Sequence, residues 1–274
     1  MTHDGAGNLL NLDASIPAHT AYSGNTAYSY DTKDQLLGES STRNTGYTYA
    51  FAYDAAGNPT TFKGQTQTYN TNNQLTGTGF AYDNNGNPTT YSGNTLTFDP
   101  ENRMTAFGTA LTAGYRGDSL RAWKEVPVGE STVRTYFLYD GAQLIHEMDA
   151  DGNIIATNTW GVNGLAIRND SRGAVYYMFD PQGNVAHRLD QYGAVQSNDL
   201  YDAYGNMVDG GDTADPYGYN AQTGYYTDHE TGLMLCTFRY YDPVTGRWLT
   251  RDPIGSNGGV NLYAYCNSDP VGCY

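Results

Sequence analysis

The chain has 274 residues, 29 acidic against 14 basic, for a formal net charge of −15. So few, scattered cations exclude a nucleic-acid-binding role, which needs clustered positive charge on phosphates. No run of about 18 apolar residues is present to span a membrane, and the start MTHDGAGNLL lacks the basic and apolar regions of a secretory signal. Leu, Ile, Val and Phe supply only about 16% of the residues, a level that in most chains signals disorder. Here only 16% of residues are charged and 26 are tyrosines. A tyrosine buries a large ring while its hydroxyl keeps a hydrogen bond, so these rings can build the missing core.

Read in chain order, the first unit is His3-Asp4-Gly5-Ala6-Gly7-Asn8, followed by the looser Tyr30-Asp31 to Leu36. Residues 51–79 then align with residues 80–108 at a period of 29, Phe51-Ala52-Tyr53-Asp54 recurring as Phe80-Ala81-Tyr82-Asp83. Each unit joins a Y-D-x-x-G-N half to a Y/F-N/D-x-x-N-Q/R-L/M half, the latter at Tyr69 to Leu75 and Phe98 to Met104. The D-x-x-G-N core stands at Asp4, Asp54, Asp83, Asp149, Asp180 and Asp202, with a variant at Asp190. Asp favours the first position of a type I turn, because its carboxylate accepts nearby N–H groups, and Gly the fourth, where φ is positive. Together they spell a three-residue hairpin loop closed by a glycine bulge. Tyr47, Tyr49, Phe51 and Tyr53 alternate with Thr48, Ala50 and Ala52 in strand fashion. The expected fold class is therefore all-β: a repetitive array of hairpins whose aromatic rings stack from one unit to the next. The N-terminus enters in mid-repeat, and neighbouring units must stack to bury their faces. The expectation is a C-terminal piece of a longer array, or a chain that assembles with other copies.

Beyond residue 108 the repeats are less regular through 134–161, 176–195 and 200–207, and Asp209 to Pro216 reads as a surface loop. Two further hairpin turns are expected at 225–232 and 240–246. The expected division is a hairpin array over 1–108, degenerate repeats over 109–224 and a distinct C-terminal segment over 225–274, packed as one continuous unit. Cys236, Cys266 and Cys273 are too few for a disulfide framework and lack zinc spacing. Free buried thiols are the favoured reading, with a Cys266–Cys273 pair as the alternative.

The tail RYYDPVTGRWLTRDPIG (239–255) and GGVNLYAY (258–265), preceded by the FLYDG, FDPQGN and YDAYGN steps, resembles the core-associated domain of Rhs/YD-repeat proteins. That domain also occurs in the C component of ABC-type toxin complexes and, more distantly, in teneurins. The resemblance covers essentially the whole chain. It implies a spiral sheet forming part of a hollow shell around a toxin or effector encoded downstream, with the C-terminal segment curled inward as a plug. It also implies an aspartyl autoprotease, for which two carboxylates must share a proton. Asp252 would be the first, with Arg239 as assisting cation. The second aspartate would fall just past Tyr274, and Asp269 is a poor substitute because it aligns with the preceding step. The expectation is no autoproteolysis by this chain alone, Asp252 capping a turn and Arg239 making an ion pair.

Other motifs carry less. His146-Glu147 is not H-E-x-x-H, and Asp149 to Asn153 has only a slight likeness to a calcium loop, lacking its Gly and Glu. No nucleophile elbow or P-loop occurs, and no cofactor is expected. Asn169-Asp170-Ser171 is a formal glycosylation sequon. Trp123, Trp160 and Trp248 suit core packing more than sugar stacking. Three functions compete, in falling order: a shell segment of a polymorphic toxin system, whose partners are other YD-repeat segments and a downstream effector; a cell-surface carbohydrate-binding or adhesion module, motivated by the tyrosine-rich surface; and an autoproteolytic plug. Either of the first two implies secretion or surface display in bacteria by a specialised export system.

Overall fold

The computed structural model describes residues 1–16 and 19–272. Among them the regular structure is antiparallel β-sheet, with only short 3-10 turns besides. A five-stranded sheet runs from Thr2–His3 to Tyr47–Ala50, and a three-stranded one from Ala52–Tyr53 to Gln65–Thr66. A thirteen-stranded sheet then extends from Ala81–Tyr82 to Val195–Asn198, running unbroken across residues 108 and 109. A two-stranded hairpin (Leu200–Tyr201, Met207–Asp209) and a four-stranded sheet (Tyr226–Asp228 to Arg247–Trp248) complete it. In every sheet each strand pairs with its neighbours in sequence, so the whole is a meander of hairpins.

The turn motif forms as its residues dictate. At Asp54 the backbone N–H donates to Asn58 O at 3.0 Å, and Gly57 N–H donates to Asp54 O at 3.1 Å. This is a type I turn closed by a bulge at Gly57, whose φ is +78°. Asp54 Oδ1 accepts the N–H groups of Ala56 and Asn58, and Oδ2 the Asn58 side-chain amide, all at 2.9 Å. The same carboxylate-centred knot recurs at Asp4, Asp149 and Asp180.

The second half-motif has Asn or Asp where the first has Gly. Asp34, Asn73 and Asn102 all adopt left-handed φ, at 61°, 60° and 63°, a conformation these two residue types tolerate better than others. What the side chain gains is a partner. Asn8 donates to Asp34 Oδ1, Asn58 to Asn73 Oδ1 and Asn87 to Asn102 Oδ1, each at 2.8 Å. Successive turns are thus tied tip to tip, and a glycine at the fourth position could not do it.

Strand alternation follows the sequence pattern: Tyr47 and Tyr49 are half-buried, Thr48 and Ala50 exposed. Most ring pairs do not stack face to face, although Tyr219 stacks on Tyr241. Phe51–Phe62, Phe80–Tyr91 and Tyr217–Tyr226 meet edge to face, the geometry favoured by the ring quadrupole. The deepest tyrosines, among them Tyr204, Tyr217, Tyr241 and Tyr265, lie in the C-terminal third. One buried cluster joins Leu96, Phe137 and Val185 of the long sheet to Tyr226 and Tyr240. The other joins Leu36, Phe51 and Phe62 to Tyr241 and Tyr265. Among described tyrosines only Tyr176 and Tyr192 are exposed.

Two expectations are corrected. The 209–216 loop is not wholly at the surface: Asp215 is 1% exposed, takes Arg188 Nε at 2.8 Å and accepts the Tyr177 hydroxyl. Arg188 also pairs with buried Asp199. Cys266 is disulfide-bonded rather than a free thiol, while Cys236 is free; Cys273 lies outside the described residues.

Candidate functional site

The C-terminal segment folds as the two hairpins expected. Tyr226–Asp228 pairs with Leu233–Cys236, and Arg239–Asp242 with Arg247–Trp248. Its seat against the repeats is polar as well as aromatic. Arg247, 2% exposed, donates from Nη1 to Asn58 Oδ1 at 2.9 Å and from Nη2 to Asn73 O at 2.5 Å. Asn261 donates to the same Asn58 oxygen at 2.7 Å. No carboxylate pairs with Arg247 among the described residues; its guanidinium lies over the rings of Tyr69 and Tyr263, at 4.6 and 5.6 Å. Burial pulls Arg247 below its ordinary value.

A second seat is ionic. Asp228, fully buried, takes Arg121 Nη1 at 2.5 Å and Lys124 Nζ at 3.0 Å, and the Tyr240 hydroxyl donates to it at 3.0 Å. Burial opposes its charge, but Arg121 and Lys124 outweigh burial and hold the carboxyl below its usual range. A third is Asp242, which accepts the hydroxyls of Tyr91 and Thr245, both at 2.8 Å. No cation pairs with it among the described residues, and burial raises it above the ordinary carboxylate value.

The residues singled out for chemistry occupy two separate neighbourhoods. Asp252 Oδ1 accepts the N–H of Ile254 at 3.1 Å, and Oδ2 pairs with Arg239 Nη2 at 3.1 Å. Arg239 lies over the Trp248 ring at 4.0 Å, and its Nη1 is buried with no hydrogen-bond partner among the described residues. Burial lowers Arg239, against the pull of Asp252. Asp269 is raised by burial and by the charges of Asp34 and Asp4, and accepts the N–H of Gly272 at 3.0 Å. No hydrogen bond joins Asp252 to Asp269 among the described residues. Asp149 uses its carboxylate on its own turn. No described group of three or more His, Cys, Asp or Glu side chains is arranged to hold a metal ion. Trp160 donates its indole N–H to Leu144 O at 2.9 Å, and Trp248 packs in the second cluster. No helix of the described residues is long and apolar enough to cross a membrane.

A hairpin meander with Asp-to-Gly corners, closed by a tyrosine-rich tail seated on its own repeats, defines a YD-type shell segment. The family model described as teneurin YD-shell matches residues 1–271, and the chain belongs to that family. Among characterised relatives, the tRNA nuclease WapA of Bacillus subtilis strain 168 is 33% identical over 146 residues, covering 50% of this chain and 6% of WapA. The double-stranded DNA deaminase toxin A of Burkholderia cenocepacia is 32% identical over 160 residues, covering 50% of this chain and 11% of that protein. The chain therefore spans only a small part of these relatives. In fold it matches a Tc holotoxin pore of Photorhabdus luminescens with a TM-score of 0.80 at 20% identity, over 100% of this chain and 16% of the other. A TcdB2-TccC3 structure without its hypervariable C-terminal region matches with a TM-score of 0.80 at 19% identity, over 99% and 16%.

Proposed function

We propose that this chain is an encapsulating shell segment of an Rhs-type toxin system, its tail from residue 225 acting as an inward plug and its partners being further YD-repeat segments and an effector. The single observation that carries this reading is the buried seating of the tail on the repeats through Asn58, Arg121 and Tyr91. We divide the chain functionally at 108 and 224, and place the protein outside the bacterial cytoplasm through a specialised export system. The segment contributes enclosure rather than chemistry: Asp252 is engaged by Arg239 and its own turn. Carbohydrate binding has less support, because among the described tyrosines only Tyr176 and Tyr192 are exposed.

The test is limited proteolysis of the parent polypeptide carrying the effector. Enclosure predicts an effector digested far more slowly than the same effector alone; equal rates would overturn the reading. Asp252→Asn in the same polypeptide separates the enzymatic alternative, since loss of a self-cleavage band would make Asp252 catalytic.

A further inference from the structure

The first sheet and the Asp202 turn meet around an acid, Glu39, that forms no ion pair among the described residues. Glu39, on the strand Leu36–Ser41, is 1% exposed and Asp202 is 2% exposed. Glu39 Oε2 accepts the N–H of Ala203 and Oε1 the hydroxyl of Tyr47, both at 3.0 Å. Lys63 ion-pairs with Asp202 and sits 5.0 Å from the centre of the Tyr49 ring. The titratable groups facing Glu39 are Tyr28 from the preceding strand, Tyr47 and Tyr49 from the following one, Lys63 from the 59–66 hairpin and Asp202. Two buried carboxylates thus lie beside a single ammonium, which pairs with Asp202, and both cannot stay ionised at ordinary cost.

We propose that Glu39 is a proton latch: neutral, it holds the 202–206 turn onto the first sheet, and ionised, it releases that turn. The direction follows from linkage. Burial first, then the Asp202 charge, push Glu39 up to about 8, against a value of 4.5 when unperturbed. The folded state therefore binds this proton more tightly than the unfolded chain. The contribution is full below the unperturbed value and is lost as pH rises through the folded one. The latch acts where the first repeats meet the C-terminal third, since Ala203 lies 164 residues beyond Glu39. Alkaline conditions would loosen this junction while leaving the long sheet intact.

The test is hydrogen exchange on the full chain, corrected for the intrinsic pH dependence of the chemistry. In peptides covering 200–209, the wild type should lose roughly a hundredfold in protection between about pH 6 and about pH 9. Glu39→Gln should hold its protection across that range, because its amide keeps an acceptor for Ala203 and cannot ionise. Peptides covering 154–179 serve as the internal reference. Parallel loss in both proteins, or no local loss in the wild type, would overturn the latch. Should Glu39→Gln fail to fold, a carboxyl-carbon NMR titration of the wild type decides instead: a Glu39 midpoint above about 7 supports the latch, and a lower one overturns it.

Discussion

Arg247 reaches Asn58 across 189 residues of chain and donates a 2.9 Å hydrogen bond to its side-chain oxygen. The acceptor belongs to a repeat turn and the donor to the tail, so one guanidinium reads the position of the turn ladder. The same Asn58 amide nitrogen is already committed to Asp54 and Asn73. Its oxygen is therefore fixed in direction before the tail arrives.

Arg247→Lys should destabilise the protein by about 2–3 kcal/mol, because a point charge cannot bridge Asn58 and Asn73 together or keep the ring contacts. Arg247→Met should cost less than Arg247→Lys if the unneutralised buried charge is the larger penalty. Urea unfolding of the three proteins gives the order directly.

Asn102 distinguishes backbone strain from hydrogen bonding. Asn102→Ala keeps the left-handed φ without an acceptor for Asn87 and should cost about 2 kcal/mol. Asn102→Gly loses the same bond but relieves the conformational penalty, so its cost should fall below about 1 kcal/mol. Matching costs in thermal unfolding would show that strain has no part in the ladder.

Asp228→Asn removes the charge that faces Arg121 and Lys124 and should cost about 3–5 kcal/mol near neutral pH. Because the Asp228 carboxyl is held below its usual range, its contribution is present above the unfolded value and is lost as pH falls through the folded one. The gap between wild type and variant should therefore narrow in acid, measured as unfolding midpoints across a pH series.

Cys236 donates to Met234 O at 3.6 Å, and burial pushes its thiol well above the ordinary value. Little thiolate is available, so alkylation at neutral pH should be slow in the native protein and rapid once it is unfolded. Mass spectrometry after timed iodoacetamide treatment checks this, with a fast native reaction counting against a buried sulfur.

The corners of this fold are legible because their chemistry is local: Asp54 and Gly57 stand three residues apart and satisfy each other's backbone. The hairpins at 225–232 and 240–246 are legible for the same reason. What the sequence hides is long-range pairing. Arg121 and Lys124 look like surface charges until Asp228 arrives from more than a hundred residues away, and Asp215 looks like a loop residue until Arg188 claims it. The Asn-for-Gly exchange at Asn73 and Asn102 is visible as a pattern, but its reason lies in the neighbouring turn, which composition and periodicity do not place. The Asp252–Arg239 pairing is suggested only by the family resemblance, whereas the distinct setting of Asp269 beside Asp4 and Asp34 depends on how the tail curls back to the first repeat.

The neighbour-to-neighbour order of the strands bears on how the chain acquires its form. Each pairing closes a short loop, so contact order within the sheets is low and hairpins can zip successively as synthesis proceeds. The contacts made by Arg247, Asn261 and Ser268 span 174 to 211 residues and can form only after the repeats exist. This topology lets the repeats form first and serve as the template on which the tail settles last.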